Sequence, residues 1–181
     1  MKGWSGTVLR VDLTEGTVEK SPLDRGIAER YIGGRGLNSR TLFDEIEPGI
    51  DPLGPENVLC LAVGPFTGTI LPQTSRMEVS TLSPYSGILG DGNAGGHFAT
   101  GLKLAGYDQI VVTGKAESPT YLWIEDDDVE LRDAGDLWGK TTWEATDALQ
   151  EKHGNNVKVA GIGPAGENLV RVATTISDKY H

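Results

Sequence analysis

One cysteine, Cys60, is all that the 181-residue chain contains. That excludes a disulfide framework, a CxxC redox pair and a cysteine-ligated cluster built within a single chain. Long apolar runs are also missing. None approaches the roughly 20 residues that a membrane helix needs, and none follows the opening Met-Lys-Gly-Trp-Ser-Gly, so the start does not read as a secretory signal. Positive charge is in deficit, with 16 Lys plus Arg against 26 Asp plus Glu and a formal charge of −10. A basic face that grips nucleic acid or a membrane surface is therefore not expected. The three histidines, His97, His153 and His181, are scattered without an HxxxH pairing, which speaks against a protein-ligated zinc. No serine sits in GxSxG, no carboxylate pair stands out as an acid/base couple, and residues 125–128 lack the alternating spacing of a calcium loop. These absences describe a soluble, cytoplasmic chain with no evident catalytic set.

Glycine is what the chain has in excess. Its 25 residues are nearly twice the usual share of about 7%, and they cluster, which points to close backbone approach rather than flexible linkers. Trp4 to Asp12 and residues 17–20 read as strands around Thr14-Glu15-Gly16. Leu23 to Ile32 reads as a helix capped by Asp24, and helical spacing resumes over Leu37 to Ile46. The apolar run Val58 to Val63 predicts a strand buried on both faces, with Cys60 as a core thiol. Arg76 to Leu82 alternates as a strand, Gly90 to Gly96 reads as a loop, His97 to Ala105 as a short helix and Gln109 to Thr113 as a strand. Tyr121 to Glu125 and Val129 to Arg132 form a hairpin with a solvated acidic tip. Thr141 to His153 is a helix with Trp143, Ala145, Ala148 and Leu149 turned to a core. Val157 to Ile162 and Leu169 to Ile176 complete the strands.

These elements repeat. Val8 to Asp12 matches Tyr121 to Glu125, and each is followed by a second strand, a helical segment and an apolar strand closed by Gly-Pro at Pro65 or Pro164. Beyond those marks Ser80-Thr81-Leu82-Ser83 matches Thr174-Thr175-Ile176-Ser177. The expected fold is α+β, a pseudo-symmetric duplication of two β-rich halves with short helices packed on the sheets. It is one domain over residues 1–181 with repeats at about 4–115 and 120–181. In the first repeat Ser83 leads into the glycine-rich segment, whereas Ser177 is followed by four residues only, so the chain is read as a fragment whose second glycine-rich loop is missing.

The segment Gly90-x-Gly92-x-x-Gly95 has the form of a GxGxxG fingerprint, with a helix opening at His97 that could aim N–H groups at a phosphate. A Rossmann site needs a buried strand directly before the first glycine, and only Gly87-Ile88-Leu89 stands there. The absence of Gly-Lys-Ser/Thr removes a P-loop. Two readings stay open: a glycine turn that serves packing alone, or bare backbone that approaches a flat or phosphate-bearing ligand. Arg76, at the start of the strand leading to this segment, is either a surface arginine or a forked donor to phosphate or a polar heterocycle. Gly33-Gly34-Arg35-Gly36 frames a second arginine and reads in preference as a helix break with glycine at the C-terminal position.

Several stretches together resemble one family in order and spacing. They are Gly3-Trp4 with Leu9-Arg10-Val11-Asp12-Leu13, Tyr31-Ile32-Gly33-Gly34-Arg35-Gly36-Leu37 and Gly64-Pro65-Phe66-Thr67-Gly68-Thr69. Ser83-Pro84, Asn93-Ala94-Gly95-Gly96, Leu104-Ala105-Gly106-Tyr107-Asp108, Gly114-Lys115-Ala116 and Gly163-Pro164-Ala165-Gly166-Glu167-Asn168 follow. The chain resembles the N-terminal domain of the tungsten-containing aldehyde ferredoxin oxidoreductases over essentially its whole length. The resemblance implies an anaerobic, cytoplasmic enzyme that oxidises aldehydes to carboxylates and passes electrons through a [4Fe–4S] cluster to ferredoxin. It implies a tungstopterin in which two molybdopterin-type pterins hold the metal and a magnesium ion bridges their phosphates. By the same resemblance Arg76, Asn93 and Gly95 are cofactor-binding residues, and the Asn93 backbone carbonyl is the magnesium contact. Helical domains that bring the cluster cysteines and substrate pocket lie outside this chain, so the fragment is expected to be inactive and without a cluster. It is also expected to self-associate through the face bearing Arg76 and Asn93. The alternative is a non-catalytic, stand-alone module that binds a phosphate-bearing ligand or a protein partner.

Overall fold

The computed structural model describes residues 2–181. Strand β1 (Thr7–Asp12) forms a hairpin with β2 (Thr17–Pro22), and α1 (Arg25–Tyr31) and α2 (Gly34–Glu45) follow. Next come β3 (Leu59–Val63), β4 (Met77–Leu82), β5 (Leu89–Ala94), α3 (Phe98–Leu104) and β6 (Gln109–Thr113). These six strands make one mixed sheet in the order β2-β1-β6-β3-β4-β5, parallel only between β1 and β6. The second part of the chain holds the hairpin β7 (Thr120–Glu125) and β8 (Asp128–Asp133), α4 (Thr142–His153), β9 (Ala160–Gly161), α5 (Pro164–Glu167) and β10 (Ile176–Ser177). The fold is mixed α+β, as expected.

Side-chain alternation along each strand builds a layer on either face of the sheet. Val8, Cys60, Ala62 and Val111 pack beneath Ala28 of α1 and Leu37 and Leu42 of α2. Leu9, Val11, Val63, Met77 and Ile110 point the other way, against Ala99 and Leu102 of α3 and against Leu122, Ile124, Val129 and Leu131 of the β7–β8 hairpin. Cys60 is fully buried in the middle strand, and burial pushes its thiol pKa up to about 12. Beneath α2 the layer turns polar toward the β4 side. Asn38, fully buried, donates to Ser80 Oγ (3.1 Å) and to the Glu78 carbonyl (3.0 Å), and accepts from Gln109 Nε2 (3.0 Å). Asp108, also buried, accepts from the Ser5 and Gly6 N–H groups and from Lys103 Nζ, tying the chain's first residues to the end of α3.

Several expectations need correction. The glycine-rich run is not a loop: residues 89–94 form edge strand β5, paired residue for residue with β4. The break after α1 is not made by glycine, since Ile32 itself takes the left-handed conformation (φ 68°). Gly34, Arg35 and Gly36 instead form the first turn of α2. A side chain at Gly33 would lie 2.7 Å from the Val63 carbonyl, so that glycine answers to close packing of the connector on β3. In α4 only Thr146 is fully buried, while Trp143 stays half exposed and meets the Tyr180 ring edge-on at 4.9 Å. The two last strands shrink to two-residue pieces, because Leu169 turns left-handed (φ 55°) and residues 170–175 find no partner strand.

The element order of hairpin, helix and antiparallel strand pair around Gly-Pro occurs in both parts of the chain. The ladders set Ala62 opposite Glu78 and Gly161 opposite Ile176, each three residues before its proline. Counted this way Ile176 corresponds to Glu78, not to Leu82, a shift of four residues from the match read in the sequence.

Candidate functional site

The β4–β5 edge brings the arginine and the glycine segment together. Register pairs Glu78 with Asn93 and Met77 with Ala94, so Arg76, one residue before β4, sits beside the end of β5. Its Nη1 donates to Asn93 Oδ1. Among the described residues Arg76 makes no ion pair, so its positive charge is met only by a neutral amide and solvent. An open cleft of about 600 Å³ lies here, lined by Gln73, Ser75, Arg76, Gly95 and Gly96. Arg76, Asn93 and Gly95 thus share one place.

Hydrogen-bond alternation in an antiparallel ladder gives Asn93 a further property. The Ser83 N–H donates to the Ile88 carbonyl, and counting from that bond at unbroken register makes Glu78–Asn93 a non-hydrogen-bonded pair. The N–H and C=O of Asn93 therefore face away from β4, out of the open edge of the sheet.

Behind this edge lies a polar cluster that sequence reasoning did not find. Glu78, 6% exposed, accepts from Asn93 Nδ2 at 2.7 Å and from Arg35 Nε at 3.0 Å. Arg35 Nη2 also meets Asp91 Oδ2 at 2.6 Å. Glu78, foremost, and Asp91 push the Arg35 guanidinium still further above its already high pKa, so it remains a fixed cation. A charged residue between the apolar Met77 and Val79 was the only sequence signal, and the pairing that gives it meaning is long-range.

The N-terminus of α3 does not reach out to a ligand. Asp178, from the segment after β10, accepts from the His97 N–H (2.5 Å) and the Phe98 N–H (3.1 Å). Gly96, at φ 84°, passes so close that an added side chain would lie 2.8 Å from that carboxylate. The helix N–H groups read as phosphate donors are therefore already used by an internal anion. Ser75 Oγ donates to the Gly96 carbonyl (3.1 Å) and fixes the turn from the other side.

Among the described residues no group of three or more His, Cys, Asp or Glu side chains could hold a metal, and no helix is long and apolar enough to cross a membrane. The donors present are a guanidinium without an ion pair, backbone groups at an open strand edge and a glycine turn. Such a set suits a phosphate-bearing group. The model of the aldehyde ferredoxin oxidoreductase N-terminal domain matches residues 8–181. The chain belongs to the aldehyde ferredoxin oxidoreductase family.

Relatives of this aldehyde ferredoxin oxidoreductase domain include the tungsten-containing aldehyde ferredoxin oxidoreductase of Pyrococcus furiosus. It is 45% identical over 181 residues, covering 99% of this chain and 30% of that protein. An aliphatic sulfonate oxidoreductase, WOR-like subunit, from the same organism is 35% identical, covering 100% of this chain and 31% of its own length. Among solved structures, the active-site complex BamBC of benzoyl coenzyme A reductase with 1,5-dienoyl-CoA aligns at a TM-score of 0.95 and 39% identity. It covers 97% of this chain and 27% of that one. The chain spans about 30% of the length of the curated relatives it matches.

Proposed function

We propose that this chain is the cofactor-seating N-terminal domain of a longer tungstopterin oxidoreductase that oxidises aldehydes to carboxylates and passes the electrons to ferredoxin. The observation that carries the reading is the meeting of Arg76, Asn93 and the Gly95–Gly96 turn at one open cleft, in a chain whose relatives include tungsten enzymes. The relatives are named for aldehydes, sulfonates and an aromatic coenzyme A thioester. What such proteins share through this domain is better sought in the cofactor than in the substrate.

The residues fit the group. Arg76 would hold a pterin phosphate through charge-assisted hydrogen bonds, and Gly95 leaves the backbone bare for close approach. The Asn93 carbonyl, at the free sheet edge, would be a ligand for a magnesium ion, a hard cation that takes oxygen donors. When bound, the tungsten centre supplies two-electron exchange with the substrate. The residues of this chain bind and orient the group. The [4Fe–4S] cluster would be ligated outside residues 1–181, and the 181-residue chain alone is expected to be inactive. On this reading the enzyme is cytoplasmic and works anaerobically.

The intact polypeptide, prepared without oxygen, should contain tungsten and a releasable pterin and should reduce a viologen dye when given an aldehyde. Protein free of tungsten and pterin would overturn the proposal. The near-superposition on a benzoyl coenzyme A reductase complex supports a second reading, chemistry on an aromatic thioester. Dye-linked turnover of a dienoyl thioester without turnover of aldehydes would favour it.

A further inference from the structure

Glu78 is a nearly buried carboxylate next to the cleft, and its two oxygens serve two different donors. Oε1 accepts from Arg35 Nε and Oε2 accepts from Asn93 Nδ2. The far end of the same amide, Oδ1, accepts from Arg76. A carboxylate only accepts, a guanidinium only donates, and a side-chain amide has one end of each kind. Between Glu78 and Arg76 the Asn93 amide therefore has a single orientation that leaves every polar atom paired.

We propose that Glu78 is a positioning residue: it holds the Asn93 amide in one orientation and thereby fixes the Arg76 guanidinium at the cleft mouth. The inference deepens the reading of the cleft as a phosphate site and rests on it for its functional meaning. The relay itself stands on the geometry. Arg35 is held a second time by Asp91 of β5 at 2.6 Å, which keeps its guanidinium beside Glu78. Preorganisation of this kind means that the guanidinium is not reoriented when an anion arrives, so less ordering cost falls on binding.

The substitution that isolates the effect is Glu78→Gln, which keeps size and shape but leaves one acceptor oxygen for two donors. Either Arg35 or Asn93 must lose its partner. Replacing Arg35 as well, in Glu78→Gln/Arg35→Met, removes the competition and lets the glutamine oxygen return to Asn93. The measurement is NMR of the full 181-residue chain, following exchange of the Asn93 side-chain N–H₂ protons and the guanidinium signals of Arg76. In Glu78→Gln the Asn93 protons should exchange about tenfold or more faster, and the Arg76 signals should broaden, as expected for loss of a hydrogen bond to a charged partner. The double variant should recover most of the wild-type signature, a rescue that a general loss of packing would not produce. Unchanged Asn93 and Arg76 signals in Glu78→Gln would overturn the proposal. If Glu78→Gln does not fold, the double variant decides alone: wild-type-like signals support the relay, and free Asn93 and Arg76 signals refute it. Titration with magnesium pyrophosphate separates the two levels. Weaker binding by Glu78→Gln, restored in the double variant, joins the relay to the cleft. No binding by the wild type removes the phosphate reading while the amide signals still judge the relay.

Discussion

Asp178 offers a quantitative test of how the glycine turn is held. Its carboxylate takes the His97 and Phe98 N–H groups and, more weakly at 3.4 Å, that of Val159. Asp178 itself sits at φ 47°, a left-handed conformation that Asp and Asn visit more readily than other non-glycine residues. Asp178→Ala therefore loses a helix cap, at about 1–2 kcal/mol, and adds a left-handed backbone cost of about 1–2 kcal/mol. Together these come to about 2–4 kcal/mol. Asp178→Asn keeps an acceptor oxygen and the tolerance for φ 47°, losing only the charge, so it should cost about 1 kcal/mol or less. Urea unfolding of the full chain at pH 7 gives both differences, and amide exchange at His97 and Phe98 reports the local opening. The alanine variant should unmask both amides and the asparagine variant should leave them largely protected. Asp178→Ala within about 0.5 kcal/mol of wild type, with both amides unaffected, would rule out this role for Asp178.

Other outcomes follow from groups elsewhere in the fold. Asp108→Ala strands Lys103 and the Ser5 and Gly6 N–H groups, so denaturation should show a loss of about 3–5 kcal/mol; a loss under about 1 kcal/mol would contradict this. Cys60, with its pKa pushed up to about 12, should resist alkylation at pH 8 and react only as the chain unfolds. Rapid labelling of the native protein would count against its place in the core. His153 packs on Trp123 at 4.2 Å and meets Tyr121 Oη at 3.0 Å. Burial first, then Lys152 and Arg132, lowers its pKa. The unfolded chain thus binds a proton at higher pH than the folded one, so this contribution to stability is present above a pH of about 6.5 and is lost as the pH falls from there through the folded value. An NMR titration midpoint for His153 at or above 6.5 would contradict the assignment, and His153→Gln should abolish that share of the acid sensitivity.

Locally encoded elements were legible in the sequence. Asp24 caps α1 through the Ile27 N–H, and the helix expected over Thr141 to His153 is α4. The apolar run around Cys60 became β3 in the middle of the sheet. What depended on a distant partner was not legible. Residues 89–94 have poor strand propensity, with Gly90, Gly92 and Asn93 among them, and form a strand only because β4 supplies an edge in register. Residues 169–176 alternate like a strand, yet apart from Ile176 they are left without a partner, and Leu169, Val170 and Val172 remain exposed. The site divides in the same way. Arg76 and the glycine-rich segment with Gly95 were singled out from the residues, Asn93 came from the family resemblance, and the fold brings Arg76 and Gly95 to one cleft with Asn93 bonded to Arg76. Glu78, Asp91 and Asp178 gain their roles through pairings 15 to 81 residues apart in sequence, which no local pattern reports.

On the proposed reading, Arg76 and its neighbours seat a phosphate-bearing metal cofactor. The most direct measurement is tungsten and pterin content per polypeptide in the intact enzyme carrying Arg76→Ala, with circular dichroism to verify the fold. Loss of one charge-assisted contact to phosphate predicts an occupancy lowered by about tenfold under limiting cofactor. Wild-type tungsten and pterin content in a correctly folded Arg76→Ala protein would contradict it.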